Sequence, residues 1–322
     1  MNTHLPEAHS ALPETYDDSL DSLTSLLDWV RFCASRMNEA DVFFGHGTDN
    51  AWDEAIVLVL YCVALPPDMA QKTSDALFSA QLTKVEKQRI FAMLTQRITS
   101  NEPLPYLTNQ AWFAGYPFYV DHRVLIPRSP FAELIHDNFA DWLTQPPQLI
   151  MDLCTGGGCI AIALAHAFEH AQVDALDISE DALDVARINI AEHGLEERVF
   201  AVSSDVFSGV IGQQYDLIVS NPPYVDAEDM GDLPQEFLHE PALALAAGHD
   251  GLDIVETILQ QAPNHLTDNG WLFVEVGNSS VHMPYRFPGL AVQWIDFELG
   301  GQGVFAVAKQ TLVDYWQAQK VK

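Results

Sequence analysis

Hydrophobic positions in the first hundred residues recur at helical spacing. Leu20, Leu23, Leu27, Val30 and Ala34 follow Ser19 and predict an amphipathic helix of about four to five turns. Stretches from Trp52 to Leu65, Thr73 to Ala80 and Lys84 to Ile98, parted by Pro66-Pro67 and short polar breaks, predict further helices. The first third therefore reads as a helical domain, behind a lead-in of residues 1 to about 18 whose Pro6, Pro13 and acids show no period and which is expected to be mobile. Asn101 to Pro105 breaks the helical pattern. Trp112-Phe113 and Phe118-Tyr119-Val120 then flank Ala114-Gly-Tyr-Pro117 as two aromatic strands about a turn.

Beyond Pro130 the pattern alternates. Apolar runs at Leu149 to Leu153, Gln172 to Asp177, Val199 to Ser203, Tyr215 to Ser220 and Trp271 to Val276 predict strands. Helical stretches fall between them, from Cys159 to Phe168, Glu180 to His193 and Leu252 to His265. Ala291 to Phe297 and Gly303 to Ala308 predict a last antiparallel pair, and Thr311 to Lys322 a short helix. Strands alternating with helices indicate an α/β fold with a parallel sheet covered on its faces.

Composition narrows the partners. At 322 residues the chain exceeds one ordinary hydrophobic core, so two domains are expected. Fifteen Lys and Arg against 45 Asp and Glu leave a formal charge of −30, which repels phosphate backbones and favours basic partners; a surface tuned for solubility would carry the same sign. Direct nucleic-acid binding is thus not expected. Cys33, Cys62, Cys154 and Cys159 are too scattered for a disulfide framework or a four-ligand zinc site, which fits a reduced, cytoplasmic setting. The longest apolar run, Ala55 to Leu65, is well short of the ~20 residues that cross a bilayer, and the N-terminus lacks the pattern of a secretory signal. A soluble, unprocessed protein is expected, with no membrane partner.

The segment Leu149-Ile-Met-Asp152-Leu-Cys154-Thr155-Gly156-Gly157-Gly158 runs from a buried strand through a glycine turn into an apolar helix. Such glycines let a backbone approach a ligand that a Cβ would exclude, and the helix start offers free amide donors. Dinucleotide-binding folds share this feature, and so does a tight turn that needs only positive φ. Asp152 distinguishes it, because a carboxylate at the strand end suits the cationic ammonium of S-adenosylmethionine and repels a pyrophosphate. Further on, Leu176-Asp177-Ile178 places an acid at the tip of the next strand, where it can accept ribose hydroxyls or simply cap the helix that Ser179-Glu180 opens. Asp205, with Val206 and Phe207, follows the third strand and is similarly placed for an adenine ring. Each acid follows a strand at the edge where ligands collect in open α/β sheets. The candidate cofactor-binding set is Asp152, Cys154, Thr155, Gly156, Gly157, Gly158, Asp177, Ile178, Asp205, Val206 and Asn221.

Asn221-Pro222-Pro223-Tyr224 ends the fourth strand as a polar, proline-stiffened turn. An amide or exocyclic amino nitrogen is a poor nucleophile because its lone pair is delocalised. Two acceptors, the Asn221 side-chain oxygen and the Pro222 carbonyl, can bind both of its hydrogens and shift electron density towards nitrogen. Pro223 disfavours helical geometry at Pro222, and Tyr224 can lie against a planar acceptor. These four are the candidate catalytic residues. The tetrapeptide alone could be a surface turn, but it stands about 65 residues after the glycine loop and behind an apolar strand.

With Asn221-Pro-Pro-Tyr224 go Glu240-Pro-Ala-Leu243 and Asp250-Gly-Leu252, and on this combination the chain resembles the protein-glutamine N-methyltransferases. The similarity runs from about Arg97 to Ser279. It is strongest to the branch acting on large-subunit ribosomal protein L-three, through Pro105-Tyr-Leu-Thr-Asn109, Ala111-Trp-Phe113, Phe118-Tyr-Val-Asp121, Ile126-Pro-Arg-Ser-Pro130 and Val225-Asp-Ala-Glu-Asp-Met230. The resemblance implies a small helical substrate-recognition domain over 1–105, a β-hairpin hinge over 106–129, and a Rossmann-like, seven-stranded class I methyltransferase domain over 130–322. It also implies S-adenosylmethionine as cofactor and a basic ribosomal protein as partner. In this chain Cys154 replaces the family's usual glycine and Gly157 a hydroxyl residue, which removes one contact to the cofactor carboxylate. Release factors modified by the sister branch, and nucleic-acid bases, remain alternative acceptors.

Other chemistry-bearing residues form no pattern. His122, His136, His166, His170 and His193 read as isolated, Cys154 and Cys159 have no paired base, and no metal is expected. Arg128 fits a hinge residue that closes over substrate and a plain salt bridge equally well.

Overall fold

In the computed structural model the first helix begins later than its periodicity predicts. Ser25, not Ser19, is the N-cap: its hydroxyl accepts the Asp28 amide at 3.2 Å while the Asp28 carboxylate accepts the Ser25 amide at 2.9 Å. That reciprocal box starts α1 (Leu26–Glu39), and Asp18–Ser22 is left as a 3₁₀ turn. The buried stripe shifts accordingly to Trp29, Val30, Cys33 and Met37, with Leu27 exposed.

The structure describes residues 18–67, 69, 74–226, 231, 234–245, 247–298 and 300–320. The lead-in with Pro6 and Pro13, Thr73, the Ala227 to Met230 part of the family segment, and Lys322 lie outside the described residues.

By its internal contacts the chain divides into two units, Met1–Asn109 with Pro234–His239, and Gln110–Leu233 with Glu240–Lys322. In the first, α1 packs with α2 (Ala51–Cys62) and α4 (Lys84–Ser100), and α3 (Ser74–Phe78) lies between the latter two in sequence. A fifth helix, α5 (Leu104–Thr108), occupies a stretch whose prolines predict a break. Pro105 sits in its first turn, where no amide donor is required, so the helix tolerates it.

The core of this unit holds an ionic cluster. Arg97 is fully buried; its Nε donates to Glu54 Oε1 at 2.7 Å, its Nη2 donates to the Phe43 carbonyl at 3.1 Å, and it pairs with Glu236. His46 Nδ1 lies 3.2 Å from Glu236 Oε2. Glu236 belongs to the 3₁₀ segment Gln235–His239, which the sequence pattern does not associate with the helical domain.

The second unit opens with the hairpin β1 (Ala111–Phe113) and β2 (Tyr116–Phe118). Its turn is tighter than predicted, because Ala114 and Gly115 both adopt positive φ, 48° and 84°, as a two-residue primed turn requires. After α6 (Phe131–His136) come β3 (Leu149–Leu153), α7 (Cys159–Ala167), β4 (Gln172–Asp177), α8 (Glu180–Glu192), β5 (Val199–Ser203) and β6 (Tyr215–Ser220). The chain ends with α9 (Asp253–His265), β7 (Leu266–Glu275), α10 (Met283–Arg286), β8 (Gln293–Trp294), β9 (Val304–Ala308) and α11 (Lys309–Lys320). Strand order β5-β4-β3-β6-β7-β9-β8 gives one seven-stranded sheet, parallel except where β9 pairs antiparallel with β7 and β8. This is the expected Rossmann-like α/β architecture. Its apolar strands bury both faces, one against α7 and the other against α9 and α11.

The order reverses between β3 and β6. Loops leaving the carboxyl ends of neighbouring strands there diverge to opposite faces and open a crevice, the place where ligands bind in such sheets.

Candidate active site

The crevice at that switch point is a cavity of about 200 Å³. It gathers Cys154, Gly156, Asp177, Ile178, Asp205, Val206, Asn221 and Pro223 from four different strand ends. Asp152, Thr155, Gly157, Gly158, Pro222 and Tyr224 are not on its wall.

The glycine loop is built by backbone conformation. Cys154, Gly156 and Gly158 all have positive φ, 61°, 55° and 82°. Around a Cβ placed on Gly156 there is open space, whereas at Gly158 it would stand 3.2 Å from the Ala186 Cβ. The first glycine thus keeps the turn open to the cavity and the last lets α7 lie close to α8. Stitching comes from β4: Thr155 N donates to the Leu176 carbonyl at 2.9 Å, and Gly156 N donates to Asp177 Oδ2 at 2.9 Å. Asn189, on α8, donates to the Gly157 carbonyl at 2.8 Å and accepts from Tyr119 N at 2.7 Å, a brace that no motif signals.

Asp152 lies beneath the loop with no exposure. Its Oδ2 accepts the Thr155 hydroxyl at 2.5 Å and the Ala161 amide at 3.0 Å, while Oδ1 is buried without a hydrogen-bond partner. Burial pushes the carboxyl up to about 7, against those two hydrogen bonds. Asp177 is different. It lines the cavity, its oxygens accept the Ser179 and Gly156 amides, with a further backbone contact from Ile178, and burial again raises its pKa. A carboxylate oxygen has room for a further donor, so Asp177 can still accept hydroxyls.

Val206 carries the clearest backbone strain. Its φ of 50° is an outlier for a β-branched residue, and Ser204 Oγ fixes it by donating to the Val206 carbonyl at 2.6 Å. With Leu153, Leu176, Ile178 and Ile254 it supplies an apolar wall, and Asp177, Asp205 and Asn221 supply the polar groups. An apolar slot with a few convergent acceptors fits a nucleoside.

Asn221 and Pro222 leave β6 with their acceptors unused. Among the described residues no donor is paired with the Asn221 side chain or the Pro222 carbonyl. The flanks of the turn, by contrast, are fastened: Val225 N donates to the Leu245 carbonyl at 2.9 Å, and the Tyr224 carbonyl accepts Ser279 Oγ at 2.7 Å. The Tyr224 hydroxyl donates to Glu275 Oε1 at 3.1 Å, and burial followed by that charge pushes the phenol pKa up.

Several neighbours carried no assigned role in the sequence or an open one. Arg128 makes a two-pronged ion pair with Glu240, at 2.7 and 2.8 Å, which answers its open assignment as a salt bridge. Glu275 ends β7, and Arg123, Leu243 and Ile254 face the cavity. Their only sequence signal is membership of the quoted family segments, which holds for Arg128, Glu240 and Leu243. His166 and His193 are not isolated, contrary to expectation. They come together from α7 and α8 at 3.1 Å, and His193 Nε2 donates to the Pro117 carbonyl at 2.9 Å, so His193 Nδ1 must accept from His166. Tyr116 stacks on His166 at 4.4 Å. Burial raises the pKa of Cys154 and Cys159, which keeps both as thiols. Among the described residues no group of three or more His, Cys, Asp or Glu could hold a metal ion, and no helix is long and apolar enough to cross a membrane.

Comparison with known proteins gives three results. A family model described as methyltransferase small domain matches residues 136–250. The chain is 44% identical over 298 residues to a protein of Bordetella pertussis named ribosomal protein uL3 glutamine methyltransferase, covering 92% of this chain and 99% of that one. A protein of the same name from Neisseria gonorrhoeae is 45% identical over 301 residues, with the same coverage. Among solved structures, a methyltransferase from Pyrococcus furiosus aligns with TM-score 0.44 at 19% identity, over 60% of this chain and 88% of its own.

Proposed function

Since the chain belongs to the family of ribosomal protein uL3 glutamine methyltransferases, we propose that it methylates the side-chain amide nitrogen of a glutamine in protein uL3, using S-adenosylmethionine. The observation that carries this reading is the unengaged Asn221 side chain on the wall of the cavity that holds Asp177 and Asp205, followed directly in the chain by the unengaged Pro222 carbonyl.

S-adenosylmethionine supplies an electrophilic methyl group on a sulfonium. The chain's part is binding and aim. Asp177 would accept the ribose hydroxyls and Asp205 and Val206 would hold the adenine, with Asp152 buried behind the glycine loop. The two acceptors of the turn take the two amide hydrogens, which raises electron density on nitrogen and points its lone pair at the methyl carbon. Transfer would form a nitrogen–carbon bond as the cofactor's sulfur–carbon bond broke with its electrons on sulfur, and the nitrogen would then shed one proton. Orientation of this kind can supply roughly 7 to 11 kcal/mol without an acid or base. The helical unit serves recognition of the protein substrate, and the formal charge of −30 favours a basic one while disfavouring nucleic acid. The setting is cytoplasmic.

Incubation with methyl-labelled cofactor and purified ribosomal proteins tests the acceptor. Label on a uL3 glutamine is expected. Label on a release factor or a nucleic-acid base, with uL3 unmodified, would overturn the reading.

A further inference from the structure

Tyr224 is held at three points by one corner of the fold. Its hydroxyl reaches Glu275 Oε1 at 3.1 Å, its carbonyl accepts Ser279 Oγ at 2.7 Å, and its ring lies against Gly277, where a Cβ would come within 2.5 Å of the ring edge. All three partners belong to the end of β7 and the 3₁₀ turn that follows, Gly277–His282. Gly277 has φ of 46°, so the position suits glycine in conformation as well as in space.

Glu275 is itself fixed. It is 5% exposed, and its second oxygen accepts the Ser129 hydroxyl at 2.5 Å. Ser129 Oγ in turn accepts the Phe131 amide at 3.2 Å, which ties the pair to the start of α6. Burial of a carboxylate is costly unless its oxygens are used. A tyrosine held only by packing against the turn would need no such group, and a phenylalanine would fill the same space.

We propose that Glu275 is a positioning residue for methyl transfer: by holding the Tyr224 hydroxyl it sets the angle of the ring against which the acceptor amide lies. This rests on the reading of Asn221 to Tyr224 as the acceptor turn. The role needs an acceptor oxygen on Glu275 and not its charge. Glutamine there can accept from Tyr224 through Oε1 and donate to Ser129 through its amide, whereas alanine takes away the acceptor of both the Tyr224 and the Ser129 hydroxyl.

The test compares wild type, Glu275→Ala, Glu275→Gln, Tyr224→Phe and the Ala/Phe double variant with labelled S-adenosylmethionine and purified uL3. Loss of alignment at a reacting centre is expected to lower kcat by about tenfold in Glu275→Ala and Tyr224→Phe, with cofactor Kd within about twofold of wild type. Because both variants remove the same hydrogen bond, the double variant falls no further than either single one, and Glu275→Gln recovers most of the loss. Multiplying losses, an inactive Glu275→Gln, or an unchanged kcat in folded Glu275→Ala overturns the proposal. A second readout needs no acceptor. With fluorotyrosine incorporated, the Tyr224 fluorine resonance, identified by its absence in Tyr224→Phe, is expected to shift or broaden in Glu275→Ala and not in Glu275→Gln. An unchanged resonance in Glu275→Ala also overturns the inference, whereas failure of wild type to label uL3 tells against the acceptor reading alone.

Discussion

Replacing Asp152 with asparagine is expected to reverse part of the protein's pH dependence of stability. The carboxyl is fully buried, one oxygen has no partner, and burial lifts its pKa from 3.8 to about 7. A folded-state pKa above the unfolded one means that the native protein binds more protons, so stability is greatest below about 4 and is lost as pH rises through about 7. At 1.36 kcal/mol per unit, the loss attributable to Asp152 is about 2 kcal/mol at pH 5 and about 4 kcal/mol at pH 8. The increment of roughly 2 to 3 kcal/mol is the quantity to measure, since it does not depend on the constant offset of the new side chain. Urea denaturation of cofactor-free wild type and Asp152→Asn at both pH values supplies it. Asparagine should gain on wild type by that increment between pH 5 and pH 8. Parallel stability curves would refute the reasoning and show that Asp152 titrates like a solvated acid. The same imbalance bears on ligand binding: a cationic cofactor that restores the charge should release close to one proton from wild type at pH 6, and none from Asp152→Asn.

Two further outcomes follow from buried clusters away from the cavity. Arg97→Met leaves Glu54 and Glu236 without their cation in the helical unit, and should cost about 3 to 5 kcal/mol in denaturant unfolding; a loss below 1 kcal/mol would mean that the cluster is hydrated. For His166, burial first, then His193 and Arg198, depresses the pKa below 6.5, so its contribution is present above that value and is lost as pH falls through the folded one. Melting temperature should therefore drop between pH 7 and pH 5 more steeply in wild type than in His166→Gln; equal slopes would show that the histidine pair does not secure the hairpin.

The parallel half of the sheet was readable because its strands are short apolar runs ended by aspartate, glycine or asparagine. Leu149–Leu153, Gln172–Asp177, Val199–Ser203 and Tyr215–Ser220 appear where the pattern puts them. The antiparallel edge was less so: a run from Ala291 to Phe297 contributes only Gln293–Trp294, because the edge pairing ends before the apolar pattern does. At the start of the chain, Ser19 and Ser25 look alike as caps. Only the acid three residues after Ser25 completes the reciprocal hydrogen bonds. The cavity's glycine turn, its acids and Asn221 were legible because each stands at or within three residues of the carboxyl end of an apolar strand. Glu275, Ser129 and Asn189 were not, since their partners lie 51, 146 and 70 residues away in sequence and no local period encodes such contacts.

If Asn221 holds the acceptor amide, as proposed, the single-turnover rate of methyl transfer to uL3 should show it in folded Asn221→Ala. Much of the cofactor affinity should survive, because the glycine loop and the acids at the strand ends do not depend on this side chain. Losing a preorganised polar contact at the reacting centre costs about 2.7 to 4 kcal/mol, so the rate should fall by roughly two to three decades. A rate near that of wild type, in a variant that is folded and binds cofactor normally, would contradict the account.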